Sequence, residues 1–331
     1  MPSTSSGSSS SRKFGWLATA IVGGILLWTV GWFLFAARII DHLPTALAEM
    51  TGANATADCV TADIRGYPFR FGVFCDAMSY ANPADGVTAT TGAFRSAAQF
   101  YKPGHIVAEI DGPLSFSAPG VDAHVDWQVL QASVHAAIHG LNRGSLDGRN
   151  ISFDIDGIVL AQKFSLQADR ITAHARRSGT DLDIAAYGEL LQTSLVAGQI
   201  ADKVTLEATL AGQSGLLDRP YTGPIGTVET QIHRLSIELD KSSSLEISGP
   251  VQIGSDGRLS GALQLTVRNQ QRFTELAAGF DPALANSLGQ FAPLLSALDT
   301  IPGDDGITLP LTLDDNMVSL GMFPLGRLPD F

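Results

Sequence analysis

The chain is short of the residues that usually announce chemistry. Its 331 residues include two cysteines, Cys59 and Cys75, too few for a multi-cysteine zinc module or a disulfide-built mini-domain. Charged residues are scarce, at 16% against a usual quarter. No Gly-rich phosphate or dinucleotide loop occurs. Ser214 lies in AGQSG, without the G-x-S-x-G spacing or the strand-to-helix elbow of a hydrolase nucleophile.

The remaining candidates for chemistry are weak for physical reasons. His135 and His139 in HAAIH lack the glutamate of a zinc-protease motif. On an alternating strand they stand about 13 Å apart, too far for one ion. Asp154 and Asp156 open like a calcium loop, but Ile158 and Ser165 fall where oxygen ligands and a glutamate are needed. Asp181 and Asp183 share one side of an alternating run, the pattern of a solvated face. Asp304-Asp305 and Asp314-Asp315 sit at expected turns, where aspartate serves the backbone. The expectation is a non-enzymatic protein with no catalytic residue, no metal and no cofactor.

What the chain does have begins at its N-terminus. Phe14 to Ala37 make 24 positions without a charge, and about 20 apolar residues span a bilayer as a helix. The run is too long for a signal-peptide core, and Arg38 follows Ala36-Ala37 where a cleavage site would need small residues. Arg12 and Lys13 precede the run against Arg38 after it, a bias that places the N-terminus inside. Residues 1–13 then form a flexible cytoplasmic tail, 14–37 the transmembrane helix, and 38–52 a juxtamembrane helix stopped by Gly52. Residues 53–331 form one exported domain. Beyond the span lie 33 acidic and 19 basic residues, a net charge of −14. That charge repels phosphate backbones, so nucleic acid is not an expected partner.

The exported part alternates apolar and polar residues, the signature of strands with one buried face. Leu235, Ile237 and Leu239 keep one parity with Ile247, Val251, Leu263 and Leu265, through turns at KSSS and GSDG. These seven are the candidate apolar-face residues. Between Val121 and Ile138 the phase slips once, which predicts a bulge or bend near Gln128. Helices are expected over 270–298, as Gln271–Ala278 and a second helix carrying Leu284, Leu288, Phe291 and Leu295, with a third over 189–201. The fold class is therefore mainly β with minor α. After the transmembrane helix comes a large antiparallel β assembly, a meander or sandwich or an open groove, with a few helices near its C-terminal part.

The two cysteines read as a structural disulfide. They lie in the exported part, where disulfides persist, and their spacing is far from C-x-x-C. With a turn at Gly66, Tyr67 and Pro68, opposed residues pair as Arg65–Phe69, Asp63–Phe71, Thr61–Val73 and Cys59–Cys75. Direct opposition puts Cα atoms within bridging distance. Phe69, Phe71 and Val73 share that parity, so the bridge falls on the apolar side.

The pentad GYPFR at Gly66 to Arg70, the Gly112-Pro113 junction, the single anchor and the closing LPLTLDDNMVSLGMFPLGRLP resemble the bacterial domain-of-unknown-function family 2125. The resemblance implies a Gram-negative envelope protein, held in the inner membrane with its bulk in the periplasm, and brings no activity with it. The architecture is also similar to that of AsmA-type envelope proteins, which are associated with lipid traffic. Two functions follow as expectations: a domain that binds lipid or another apolar ligand in an exposed cleft, or an anchored scaffold whose apolar faces close on each other. Either holds the lipid bilayer as a partner through its helix; protein partners are not indicated.

Overall fold

The computed structural model describes residues 8–51, 54–137, 140–157, 164–194, 196–218, 226–280, 289, 306–321 and 323–328. The expected stop at Gly52, the second of the C-terminal helices, Asp304-Asp305 and His139 lie outside them. The first element is one helix, α1 (Ser8–Thr51), of 44 residues. This corrects the division into a span and a separate juxtamembrane helix. Pro44 lies inside α1 and removes one backbone donor, but good helix-forming residues on both sides carry the rod past it. It is the one helix among the described residues that is long and apolar enough to cross a membrane.

Five long strands follow, each interrupted once. They are β1 (Thr56–Val60) with β2 (Asp63–Arg65), β3 (Arg70–Cys75) with β4 (Ala77–Asn82), and β5 (Val87–Thr91) with β6 (Phe94–Gln99). Then come β7 (Lys102–Ile110) with β8 (Leu114–Ala118), and β9 (Val121–Asp126) with β10 (Val129–Ala137). The halves separate into two branches. One is hydrogen-bonded in the order β2-β3-β6-β7-β10, the other in the order β1-β4-β5-β8-β9. Both rejoin on β11 (Gly140–Gly157), whose first half pairs with β10 and second half with β9. Glycine permits two of the breaks: a Cβ on Gly92 would stand 2.9 Å from the Gly112 carbonyl oxygen, closer than a side chain tolerates. The phase slip near Gln128 falls at the β9–β10 break, where the Gln128 amide still donates to the Arg149 carbonyl.

From β11 the sheet continues as an antiparallel meander. Its strands are β12 (Phe164–Ser178), β13 (Asp181–Thr193), β14 (Val196–Leu210), β15 (Val228–Glu238), β16 (Ser244–Ile253), β17 (Leu259–Arg268), β18 (Ile307–Asp314), β19 (Met317–Leu320) and β20 (Phe323–Arg327). The sheet stays open, with β2 and β20 at ends that do not meet. Helix α2 (Gln270–Phe280) leaves β17 where a helix is expected. The helix expected over 189–201 is a correction: 189–193 belong to β13 and 196–201 to β14. Leu190 has φ 51°, and the register shifts twice between Leu191 and Thr193. These irregularities break the two-residue alternation and leave a spacing that imitates a helix.

Two clusters of buried apolar side chains stand at the two ends, while single buried residues such as Ala168, Leu182, Ala201 and Ala208 lie on β12 to β14. At the α1 end, Trp32 and Ala36 of α1 pack with Ile64, against Ile39, Phe71 and Val73. At the far end Val251, Leu263, Leu311, Leu313 and Leu320 form a core, with Leu328 packed against it.

Candidate functional site

The middle of the sheet has a different character. Pairing register sets Ala108, Ala132, Leu146, Ala173, Ala186 and Leu206 side by side across β7, β10, β11, β12, β13 and β14. The row continues through Leu235, Ile247, Leu265 and Leu309 on β15 to β18. Ten strands at the usual spacing make it roughly 43 Å long. Beside it runs a second row. It starts at Phe71 on β3 and passes through Ala98, Ile106 and Val134 to Gly144, Ala175, Ile184 and Ala208. Phe71 stacks on Trp32 of α1 with ring centroids 5.2 Å apart. The apolar face therefore begins on the anchor helix itself.

Across β7 to β14 the long row is not closed as a core is, although Leu182 and Ala208 beside it are buried. Ala108, Ala132, Ala173, Ala186 and Leu206 are half-buried, and Leu146 is 38% exposed. Sheet-on-sheet cores interdigitate large side chains at near-crystalline density. A floor made largely of alanine and glycine has few large side chains to interdigitate. Of the seven candidate apolar-face residues, Leu235, Ile247 and Leu265 lie in the long row. Ile237 lies in the next, opposite Leu245. Val251 and Leu263 lie in the closed far-end core. Leu239 falls just past β15, where its amide donates to Ser243 in the KSSS turn.

The opposite face is polar, and many of its charges are paired. Arg95 donates to Glu109 (2.7 Å) and Asp111, Gln131 to Glu109, Arg170 to Asp147 (2.9 Å), and Arg176 to Asp183 (2.7 Å). A depression of about 800 Å³ on this side is lined by Arg95, Glu109, Gln131, Asp147 and Arg170 among others. The Arg170 guanidinium holds the Asp147 carboxyl below the ordinary aspartate range, with Arg149 adding to it. Arg176 and the Thr209 hydroxyl do the same for Asp183. The Gln131 amide and Arg95 lower Glu109. Such cross-strand pairs stabilise strand register.

The other candidates fall into separate places. His135 stacks on His105 with ring centroids 4.1 Å apart, and its Nε2 meets Arg143 Nη2 at 3.0 Å. His174 Nδ1 and Ser145 Oγ pair at 3.0 Å across strands, and no carboxylate among the described residues bonds the other ring nitrogen. Asp181 accepts from the Gly212 amide. Ser214 starts a short 3-10 helix and accepts from Arg177. Among the described residues no three His, Cys, Asp or Glu side chains come together as a metal site.

Cys59 and Cys75 are bonded, with Cα atoms 5.3 Å apart, and Cys75 is buried on the apolar side. The expected register needs correction. Asp63 faces Phe74, Ile64 faces Val73 and Arg65 faces Gly72, so the pairing is offset by three residues. The turn is wider than Gly66, Tyr67 and Pro68 alone: the Arg70 amide donates to the Gly66 carbonyl, enclosing Tyr67 to Phe69. Cys59 itself faces Met78 on β4. The strand breaks at Thr61, where φ is 52°, and that bend brings Cys59 back to Cys75.

Fold and face together define an open antiparallel sheet, one side apolar and one side polar, carrying a helix fit to anchor it in a membrane. The chain belongs to the family described as uncharacterized protein conserved in bacteria (DUF2125), whose model matches residues 32–329. Comparison with curated proteins and with solved structures gave no match.

Proposed function

We propose that the protein is a non-enzymatic carrier or conduit for lipid, or for another molecule with a long apolar chain, at the bacterial inner membrane. Its N-terminus lies in the cytoplasm and its sheet in the periplasm. The observation that carries this reading is the long apolar row, half-exposed from β7 to β14, with the second row beside it leading to Phe71 and to Trp32 of the anchor helix. An acyl chain needs a surface of this kind, apolar and continuous with the bilayer from which it comes. The net charge of −14 beyond the span argues against a nucleic-acid partner.

The test is photo-crosslinking in cells with the full chain. A benzophenone side chain placed at Ala173 or Leu206, on the apolar row, should capture phospholipid or another lipid. The same group at Thr172 or Glu207, on the polar side, should not. Protein adducts at Ala173 and Leu206 with no lipid adduct would overturn the reading in favour of an anchored scaffold whose face is covered by a partner.

A further inference from the structure

Two hairpin tips of the sheet reach α1 inside its uncharged run. In the β2–β3 tip, the Pro68 carbonyl accepts from Trp28 Nε1 at 3.1 Å, and the Arg70 carbonyl accepts from Trp32 Nε1 at 3.1 Å. The Tyr67 hydroxyl meets Thr29 Oγ1 at 2.7 Å. In the β6–β7 tip, Phe100 packs edge-on against Trp28 with centroids 4.5 Å apart. Between helix and tips lies an apolar crevice of about 580 Å³, lined by Ile21, Gly24, Ile25, Trp28, Phe69 and Phe100 among others.

The depth of these contacts follows from helix geometry. A hydrocarbon core of about 30 Å takes 20 helical residues, which must fit within Phe14 to Ala37. Wherever that window is set, it ends between positions 33 and 37, so Trp28 lies about 7 to 14 Å inside it at 1.5 Å per residue. Ending the core before Trp28 would leave a span of about 21 Å, too short to cross.

Four of the five tip carbonyls from Gly66 to Arg70 find partners within the protein. In hydrocarbon, backbone groups outside a helix must find partners within the protein. The Gly66 carbonyl accepts from the Arg70 amide and the Phe69 carbonyl from the Phe100 amide. With the two indole bonds, all four carbonyls of Gly66, Pro68, Phe69 and Arg70 are satisfied. The outward side chains are apolar or aromatic: Phe69 is 63% exposed, Phe100 52% and Tyr101 67%. Arg70 and Lys102 flank the tips, exposed and without a carboxylate partner among the described residues. On so acidic a protein they stand where long side chains reach lipid phosphates.

We propose that the β2–β3 and β6–β7 tips are a second membrane-binding element, inserted beside α1 into the leaflet that faces the sheet. Phe69, Phe100 and Tyr101 enter the acyl region, and the crevice takes an acyl chain of that leaflet. The proposal rests on the reading of α1 as a membrane span. Because the two native cysteines are bonded and no other exists, single-cysteine variants of the full chain can be labelled selectively. Phe69→Cys, Phe100→Cys, Ile25→Cys and Thr172→Cys are labelled with a bimane and reconstituted in phosphatidylcholine vesicles containing phospholipid brominated on the acyl chain. Labels at 69 and 100 should be quenched at least half as strongly as the label at 25, and the label at 172 not at all. Quenching at 25 alone overturns the tip insertion and leaves the anchor intact. Absence of quenching at 25 as well removes the anchor and the insertion together. Two tips on different hairpins keep the test decisive if one variant fails to fold.

Discussion

Strands β7 to β14 and strands β16 to β19 carry the same alternation of apolar and polar residues, yet they bury it differently. At the far end the apolar side chains are large: Val251, Leu263, Leu311, Leu313 and Leu320 bury one another. In the middle the corresponding row is mostly alanine, half-exposed, with Leu146 and Leu206 as its larger members. Alternation alone decides which side of a sheet is apolar. Side-chain volume decides whether that side closes on itself or stays open to something else.

The comparison can be broken most directly by equal truncations at its two ends. Leu263→Ala removes a buried side chain from the closed core and should cost about 2 to 5 kcal/mol. Leu206→Ala in the open row should cost about 1 kcal/mol, because little packing is lost around a half-exposed site. Urea denaturation of the full chain in detergent, followed by the β-sheet circular dichroism signal, measures both. Equal losses would mean that the middle is a core like the far end.

The end next to α1 is held by a third means, the Cys59–Cys75 bond. Replacing both cysteines with serine should lower stability by roughly 3 kcal/mol, the loop-closure value for this separation. Hydrogen exchange should accelerate in β1 to β4 and leave β16 to β19 unchanged. A uniform acceleration would show the three regions to be one cooperative unit, and the contrast between them would lose its energetic meaning.

Much of this was legible in the residues because it is local. The charge-free run, the one-sided alternation, the meander from Leu235 to Val267 and the pairing of two cysteines each depend on spacing that can be counted along the chain. What was missed depends on distant partners. The hairpin register slipped by three because Trp28 and Trp32 of α1 hold the β2–β3 tip open by bonding its carbonyls, and a three-residue turn could not offer them. Leu190 at positive φ disguised a strand pair as a helix. The continuity of the apolar row from Phe71 through Ala98 to Ile106 exists only once three separate strands are in register. The His105–His135 stack has the same origin.

The smallest expected difference lies on the polar side and depends on pH. Asp147 and Asp183 have carboxyls lowered by Arg170 and Arg176. A lowered carboxyl binds its proton less readily in the folded state than in the unfolded one. Its stabilisation is fully present above the unfolded value near 3.9 and is lost as pH falls through the lower folded value. The far end has ion pairs too, Arg234–Glu246 and Arg258–Asp256, but its core is held by apolar burial, which does not titrate. Acid should therefore loosen the middle first. Asp183→Asn should lose about 0.2 to 1 kcal/mol at pH 7, the range for a partly exposed pair, and its stability should fall less steeply than wild type below about pH 4. Urea midpoints at pH 7, 5, 4 and 3 for both proteins give the two slopes. Parallel slopes would show that the Arg176–Asp183 pair does not set the acid response, and that the polar face contributes no more to the middle of the sheet than to its end.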